Sequence, residues 1–592
     1  MSMKDVAHGA IGTREQPFTE LLPPGKVYAA HSLVGLAASI KADIDAVKDG
    51  ADAEENVLLP SGYTYLGQFI DHDLTFDNTS SLNPQDTPDS NRRDRMPSNL
   101  RTPRFDLDSV YGDGPDAQPY MYADDGASLI FKDSFTNQCQ SNFDQAQQDL
   151  LRAPNGRAII GDKRNDENSI ISQIQLTFIK FHNAVVAKVK IKEPDLKGTA
   201  LFEKAREQVR WAYQKLVIED FLPRIVQPQV LKDLTDKTPQ ERKSRYLLYT
   251  EDKRSNLPRE FVGAAYRFGH SGVRFGYRLN TETSLSIFAP SVPPDPSVPA
   301  QDEDGLLGFD PLPKSQVIDD WGRFFPSTLP NVIPANGLGD PPPEDDKGNA
   351  IPNPEVRLQF AYKIDTTLAD PMTVLPPSVL PTSPDPGGAI GEVEAAIRPD
   401  RIPDPQGRPS LALLNLLRGN TYKLQGGQAI ASALKVAPLD PKYLVTRQSI
   451  KNNQGEPSGK SKFVPIGLDL TKDTPLWFYI LAEAQQSVID ALEQRHLIVN
   501  GEFDDERLRE KEIAQTQLGW VGGRIVAEVF YGLMDSDTDS YLNQPASNNG
   551  KAFQPIWAND PTINDATIIF ANLLKFAGQP ITKTPKPPVS GC

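Results

Sequence analysis

The chain has 592 residues, of which 38% are hydrophobic and 24% are charged; this excludes a disordered chain and allows several domains or one large helical enzyme. Its formal net charge of −16 argues against non-specific binding to nucleic acid or to an anionic membrane, because phosphate contacts require clustered lysine and arginine. Its two cysteines, Cys139 and Cys592, exclude a disulfide framework.

The amino-terminal sequence MSMKDVAHGAIGTREQPF has no apolar signal-peptide core, and no apolar run predicts a transmembrane segment. We therefore expect a cytoplasmic protein, or one exported by a signal-independent route. Residues 1–60 are expected to be an amino-terminal extension packed on the core. Residues 61–580 are expected to form a single catalytic domain, with a loop-rich insertion at 285–410, and residues 581–592 a tail.

The elements predicted along the chain are mostly helices, and few segments alternate in the manner of strands. Apolar side chains recurring every three or four residues predict the clearest helix over 168–191. The predicted helices cover residues 31–48, 61–77, 168–191, 201–222, 258–272, 315–325, 409–419, 474–489 and 519–534. The predicted fold class is therefore mainly α, with long proline- and glycine-rich loops and very little β structure.

The first motif with chemical content is GQFIDHDLTFD at residues 67–77. On a helix, Gln68, Asp71 and His72 share one face, whereas Asp73 lies about 100° further round than His72. His72 can then face a pocket while Asp73 faces a group that needs a carboxylate. The alternative interpretation is a polar helix end beside a loop.

The second motif, RTPRFDLDSVYGDGP at residues 101–115, brings several oxygen donors together in a loop. Carboxylates, hydroxyls and backbone carbonyls are the ligands that calcium prefers. With Asp73 added, the candidate Ca²⁺ ligands are Thr102, the carbonyl of Arg104, Asp106 and Asp108. The alternative is an ordinary acidic turn.

Two further segments contain candidate catalytic residues. GDKRNDENS at residues 161–169 places Arg164 and Glu167 three positions apart, although helix capping and a surface ion pair explain this segment equally well. AAYRFGHSGVRFGYRLN at residues 264–280 places His270 in an aromatic and arginine-bearing stretch, where a packed histidine is the alternative.

Together and in this order, these segments resemble the animal-type haem peroxidases of the peroxidase–cyclooxygenase superfamily. GQFIDHD is similar to the distal-histidine helix, TPRFDLDSVYG to the calcium loop, GDKRNDENSIISQIQLTFIKFHN to the catalytic-arginine segment and YRFGHS to the proximal-histidine helix. PSLALLNLLRG is similar to the segment with the proximal asparagine, and GGRIVAEVF indicates a bacterial-type branch. The resemblance covers roughly residues 60–535 and implies a large α-helical haem peroxidase fold in a monomer.

The resemblance implies that haem b binds through His270 as the axial iron ligand, because neutral imidazole is a common ligand of peroxidase haem. Asn415 is then expected to fix the tautomer of His270, and Arg267 to bind the haem. On the opposite side, His72 is expected to move the peroxide proton, and Arg164 to stabilise the charge that develops on the separating oxygens.

Three more residues match positions with known roles in the family. Asp71 and Glu167 match the carboxylates that form ester links to haem methyl groups. Gln68 matches the glutamine of the halide site. Asp73, next to His72, is expected to connect the distal helix to the calcium ion.

The implied activity is reduction of hydrogen peroxide through a ferryl intermediate, with oxidation of a small organic substrate or a halide. A fatty-acid dioxygenase of the same superfamily is an alternative; its radical tyrosine stands three residues before the proximal histidine, where this chain has Arg267. A non-catalytic binding protein on this scaffold is another. A metal-dependent phosphohydrolase would need a larger cluster of metal ligands than six scattered histidines provide.

Overall fold

The structure is a computed structural model. It describes residues 16–41, 53–76, 98–99, 101–132, 148–254, 256–288, 305–306, 308–326, 358–373, 375, 410–455, 457–544 and 569–581. Most of the predicted insertion at 285–410 lies outside these ranges, as do residues 42–48 of the first predicted helix.

Helices supply most of the regular structure. Within the described ranges, the helices of eight or more residues are α1 Ala30–Ala38, α2 Gly62–Leu74, α3 Ser169–Lys192, α4 Gly198–Leu216, α5 Leu411–Thr421, α6 Leu476–Gln494, α7 Trp520–Ser536 and α8 Ile569–Phe576. None of the helices in the described part of the chain is both long and apolar enough to cross a membrane.

Shorter helical segments connect the long helices. The short α-helices are Asp108–Tyr111, Leu222–Ile225, Pro228–Leu231, Pro239–Lys243, Arg259–Gly263, Asp370–Thr373, Gly427–Ala433 and Leu468–Thr471. The 3₁₀ turns are Pro119–Met121, Lys163–Asp166, Glu251–Lys253, Ala265–His270, Lys314–Gln316, Trp321–Arg323, Pro441–Tyr443 and Asp505–Arg509, and Val217–Phe221 is a π-helical turn.

The β structure consists of small antiparallel sheets. The strands are β1 Gln16–Pro17, β2 Glu55–Pro60, β3 Ser98–Asn99, β4 Gly276–Arg278, β5 Ser284–Ser286, β6 Phe360–Tyr362, β7 Val445–Lys451, β8 Pro457–Pro465 and β9 Glu502–Asp504. They pair as β1–β3, β2–β6, β4–β5 and β7–β8–β9. The predicted fold class, mainly α with very little β, is confirmed.

The two helices that begin nearest the candidate site have side-chain caps. Asn168 accepts hydrogen bonds from Ile170 N and Ile171 N at the start of α3, and Ser410 Oγ accepts from Leu413 N at the start of α5. The apolar side chains that predicted α3 are buried, so this prediction is confirmed.

Two predicted helices are wrong in their extent. The segment 258–272 breaks at Ala264, where φ is −141° and ψ is −62°, and continues as the 3₁₀ turn Ala265–His270. Next to the break, Gly263 packs closely against Tyr422, since a Cβ at this position would approach the ring to 2.9 Å. The segment 315–325 contains two short 3₁₀ turns rather than a continuous helix.

The core joins the helices through aromatic side chains. Phe69 of α2 stacks on Phe178 of α3 with ring centroids 4.5 Å apart, and both rings contact Tyr213 of α4 edge-on. Phe530 of α7 packs against Tyr266 in the 3₁₀ turn that ends at His270. The core therefore places α2 and this turn against one another.

The described amino-terminal residues pack on the rest of the chain. Thr19 N donates to Leu257 O at 2.9 Å, and Tyr28 N donates to Asn420 Oδ1 at 2.9 Å. The first contact is with the segment before His270, and the second is with the end of the helix that contains Asn415.

Candidate active site

His72 lies near the end of α2 and is almost completely buried. Its Nδ1 is 2.8 Å from Asn165 Oδ1, and Asn165 Nδ2 donates to Gln175 Oε1 at 2.8 Å. With the amide oxygen facing the ring, Nδ1 carries the proton and Nε2 keeps its lone pair. Asn165 was not predicted; its one signal in the sequence is its position next to Arg164.

The environment keeps His72 neutral. Burial, and then the positive charge of Arg164, lower the pKa of His72 to about 4, although Asp162 and Asp71 act in the opposite direction. The imidazole is therefore unprotonated at Nε2 near neutral pH, which is the state that a proton acceptor needs.

Arg164 lies in the 3₁₀ turn Lys163–Asp166 and is fixed by Asp162. Asp162 Oδ1 accepts from Arg164 N at 2.9 Å and from Nε at 3.2 Å, and Oδ2 accepts from Nη2 at 2.8 Å. The same Nη2 donates to the carbonyls of His72, at 3.1 Å, and Thr75. The guanidinium is thus anchored to the end of α2 beside His72, as the sequence predicted for this pair.

Asp162 is buried but ionised. Burial alone would raise its pKa, yet Arg164 and then Arg101 outweigh burial and hold the pKa below its usual range. Asp162 was not predicted, because an aspartate before a short turn looks like an ordinary cap and says nothing about the guanidinium that it holds.

Gln68 and Glu167 meet on the same side of α2. Gln68 Nε2 donates to Glu167 Oε1, and Asn168 Nδ2 donates to Gln68 Oε1 at 3.3 Å. Burial raises the pKa of Glu167 to about 7, opposed by Arg164, and the half-buried Asp71 is near enough to raise it further. Residues that are far apart in the sequence are therefore grouped here as predicted.

The second motif forms a buried carboxylate cluster. One oxygen each from Asp73, Asp106 and Asp108 lies within 4.8 Å of the others, and all three side chains are buried. Thr102 Oγ1 donates to Asp106 Oδ2 at 3.1 Å, and Arg104, in the same loop, is buried.

The donor set fits a hard divalent cation. Asp73 Oδ2 and both carboxylate oxygens of Asp108 are buried without a hydrogen bond in the described structure, although Arg101 Nη1 forms an ion pair with Asp108 Oδ1 at 2.9 Å. Burial, and then repulsion from Asp106, raise the pKa of Asp108 to about 8 and raise that of Asp73 well above its usual range. A bound divalent cation would relieve this repulsion.

His270 ends the 3₁₀ turn that begins at Ala265. Its Nδ1 is 2.9 Å from the Asn415 amide of α5, with Nδ2 facing the ring. A 180° turn of the amide brings Oδ1 to the same place, where it accepts from Nδ1–H and leaves Nε2 free for a metal. Burial lowers the pKa of His270 to about 3, with contributions from Arg267 and Arg418, so the ring is neutral.

Two guanidiniums flank this second imidazole. Arg267 Nε donates to Val262 O at 2.9 Å, whereas Arg418 Nε is buried and has no hydrogen-bond partner among the described residues. Two half-buried cations beside a neutral ring suit an anionic group. Arg418 was not predicted as a site residue, although the Arg-Gly pair that contains it matched the expected pattern.

The two histidine-bearing elements touch directly. Tyr266 Oη donates to Gly67 O of α2 at 3.2 Å. A Cβ at Gly67 would lie 3.2 Å from the ring of Phe221, so the glycine leaves room for that ring beside α2. The structure therefore places His72 and His270 on adjoining elements.

Residues 71–302 match the family model described as animal haem peroxidase. Heme peroxidase 2 of Caenorhabditis elegans is 26% identical over 180 residues, which cover 30% of this chain and 24% of that protein. Mouse (Mus musculus) myeloperoxidase is 26% identical over 136 residues, which cover 23% of this chain and 18% of that protein. The matches therefore span about a quarter or less of the length of these curated relatives.

Solved structures with a similar chain course include two from other organisms. Peroxidase A from Dictyostelium discoideum has 14% sequence identity and a TM-score of 0.46, with 91% of this chain and 95% of that chain covered. A fatty acid alpha-dioxygenase from Arabidopsis thaliana has 14% identity and a TM-score of 0.48, with 98% and 82% covered.

Proposed function

Because the chain belongs, through residues 71–302, to the animal haem peroxidase family of the peroxidase–cyclooxygenase superfamily, we propose that it is a haem-dependent peroxidase. It reduces hydrogen peroxide and oxidises a small organic substrate or a halide. The observation that supports this most directly is the pair of neutral histidines on adjoining elements, His72 buried and His270 half-buried, with Arg164 fixed beside His72. The bacterial-type branch stays a prediction.

The residues around His270 fit haem. His270, a neutral imidazole with Nδ1 against an amide, would bind the haem iron through Nε2, and Arg267 and Arg418 would offer positive charge to the haem propionates. When bound, haem supplies the redox chemistry that cleaves the O–O bond of peroxide and takes electrons from the substrate.

The distal residues supply the proton transfer. His72 Nε2 accepts the proton of the peroxide oxygen that binds and returns it to the oxygen that leaves as water. Arg164 stabilises the negative charge on the leaving oxygen, because Asp162 already fixes the guanidinium and little reorganisation is needed. Gln68, hydrogen-bonded to Glu167, is positioned to contact a water molecule or a halide.

The carboxylates of Asp73, Asp106 and Asp108 would hold Ca²⁺, together with Thr102 and the carbonyl of Arg104. Since Asp73 follows His72 on α2, the ion would fix the end of the helix that carries the proton acceptor. Its part is to position His72 rather than to react.

Ester links to haem through Asp71 and Glu167 are part of the proposal. The raised pKa of Glu167, about 7, supports it for that residue, because a protonated carboxyl is available near neutral pH. After incubation with peroxide, haem should stay with the protein in acidified organic solvent. Complete extraction would show that no such link forms.

The central experiment is reconstitution of the full chain with haem. We expect a Soret band, consumption of hydrogen peroxide, and oxidation of a generic phenol or of bromide or iodide. Absence of a Soret band would refute the haem proposal. Oxygen uptake with an unsaturated fatty acid, without peroxide-driven oxidation of the other substrates, would instead support a dioxygenase.

A further inference from the structure

Arg101 is a buried arginine between the candidate cation site and the distal residues. Its side chain is 4% exposed. Nη1 lies 2.9 Å from Asp108 Oδ1, and Nη2 lies 2.5 Å from Asp162 Oδ2. One planar guanidinium thus contacts two carboxylates that belong to different parts of the candidate site.

Asp162 continues this connection to the distal arginine. Its two oxygens accept from Nε and Nη2 of Arg164. The guanidiniums of Arg101 and Arg164 both lie over the ring of Phe76, at 5.9 and 4.8 Å from its centroid. A continuous path of buried ion pairs therefore runs from Asp108 to Arg164.

When Asp73, Asp106, Asp108 and Asp162 are all ionised, their four carboxylates and the two guanidiniums of Arg101 and Arg164 leave two negative charges. One divalent cation neutralises the whole group, so its binding changes how the charge of Arg101 is shared between Asp108 and Asp162.

We propose that Arg101 is a positioning residue that couples occupancy of the cation site to Arg164 through Asp162. The catalytic role of Arg164 rests on the proposed function, but the coupling itself depends only on the ion pairs. A bound divalent cation takes over the charge of Asp108, which releases Arg101 to hold Asp162 and, through it, Arg164. Without the cation, Arg101 is drawn towards the three carboxylates.

Calcium affinity tests the coupling without reference to activity. The measurement is isothermal titration calorimetry of the haem-loaded full chain with calcium chloride after treatment with a chelator. In Asp162→Asn, Asp108 is the remaining ion-pair partner of Arg101, and Arg101 competes with calcium for it. We therefore expect calcium affinity to fall roughly fivefold or more. Arg101→Gln removes a competing cation, so we expect the affinity to rise.

The double variant Arg101→Gln/Asp162→Asn distinguishes coupling through Arg101 from a direct electrostatic effect of Asp162 on the calcium site. In the Arg101→Gln background, Asp162→Asn should change calcium affinity by less than about twofold. An equal loss in both backgrounds would mean that Asp162 acts only through its charge, and the proposal would be overturned. Arg101→Lys keeps the positive charge but loses the planar guanidinium that contacts two carboxylates at once, so we expect it to abolish the coupling as well.

Asp166→Asn is a matched control. Asp166 is a buried aspartate on the turn that carries Arg164, but it pairs with Arg152, at 2.8 Å, rather than with Arg101. This variant should leave calcium affinity within about twofold of the wild type. A loss as large as that of Asp162→Asn would contradict the proposed path.

The outcomes also separate this inference from the proposed function. If the wild-type chain binds no calcium, the coupling is refuted while the haem and peroxide measurements still stand. If calcium binding follows the pattern above but peroxide is not consumed, the coupling holds and the peroxidase proposal fails.

Discussion

The His72 side and the His270 side of the candidate site share the same pairing of a neutral histidine with an asparagine. They differ in the charged residues around that pair. His72 and His270 are both kept neutral by burial, and each has Nδ1 within 2.9 Å of an asparagine amide. On the distal side, Arg164 is already neutralised by Asp162. On the side of His270, Nε of the half-buried Arg418 has no hydrogen-bond partner among the described residues.

This difference indicates what each side is built to meet. A guanidinium with a fixed carboxylate partner has little charge left for a permanent anion, but it is rigidly aimed at charge that develops during a reaction. A buried guanidinium without such a partner needs a permanent anion. The distal side therefore suits a transient charge, and the proximal side suits the propionates of a bound cofactor.

Removing the proximal histidine should have the largest effect. We expect His270→Ala to abolish the Soret band of the reconstituted chain, because the axial ligand is lost. Peroxide consumption should fall by roughly a thousandfold or more, at the upper end of effects seen on loss of an essential group. The check is an absorbance spectrum followed by a peroxide assay.

His182→Ala is the matched control for this comparison. His182 is also fully buried, but its Nδ1 contacts Tyr111 Oη at 3.0 Å and its Nε2 contacts Ala127 O at 2.9 Å, so both nitrogens are used within the core. The variant should be less stable yet retain the Soret band. Loss of the band in both variants would mean that generic unfolding explains the result.

Removing the distal histidine should separate binding from chemistry. His72→Ala should keep the Soret band while the rate of peroxide consumption falls by about a hundredfold to ten-thousandfold, the usual contribution of acid–base catalysis. Stopped-flow mixing with peroxide measures this rate directly. An unchanged rate would reject the role of His72 in proton transfer.

The sequence singled out the candidate reacting residues but not the residues that hold them. His72, Arg164, Gln68 and Glu167 lie in short motifs, and the structure brings them together. Asn165 and Asp162 flank Arg164 in the chain, yet only the fold of the 3₁₀ turn decides that one faces His72 and the other faces Arg164.

The fold was predicted well where the helical period is strong and poorly where tertiary packing decides. The prediction of α3 from its apolar period is confirmed. The predicted helix over 258–272 is wrong in its extent: it breaks at Ala264, next to Gly263, which packs closely against Tyr422. No local pattern reveals a contact between residues so far apart in the chain.

Substitutions of Asn165 and Asn415, the asparagines that contact the two histidines, should have smaller effects that differ in kind. Asn165→Leu removes the acceptor of His72 Nδ1, so the rate of peroxide reaction should fall by about ten- to a hundredfold with little change in the Soret band. Asn415→Asp places a stronger acceptor at His270, so the Soret band and reduction potential should shift instead. If both variants changed only the rate, the proposed division between the two sides would be wrong.

The smallest expected effect is on the pH dependence of folding stability, through Glu483 in a helix that packs beside the His270 turn. Trp477 of α6 donates to Arg267 O, and Glu483 of the same helix accepts from Val521 N and Gly522 N at the start of α7. Burial raises the pKa of Glu483 from its usual 4.5 to about 7, whereas the pKa of Asp162 on the distal side is lowered. The two carboxyls therefore affect folding stability in different pH ranges.

The folded state holds the Glu483 proton more tightly than the unfolded state. Its contribution to stability is complete below pH 4.5 and is lost as the pH rises through about 7, whereas that of Asp162 is lost as the pH falls below its usual 3.8. Relative to the wild type, Glu483→Gln should therefore gain about 2 kcal/mol of unfolding free energy between pH 4.5 and 7.5. Denaturant unfolding at the two pH values measures this gain, and a difference between variant and wild type that does not change with pH would show that Glu483 ionises freely in the folded chain.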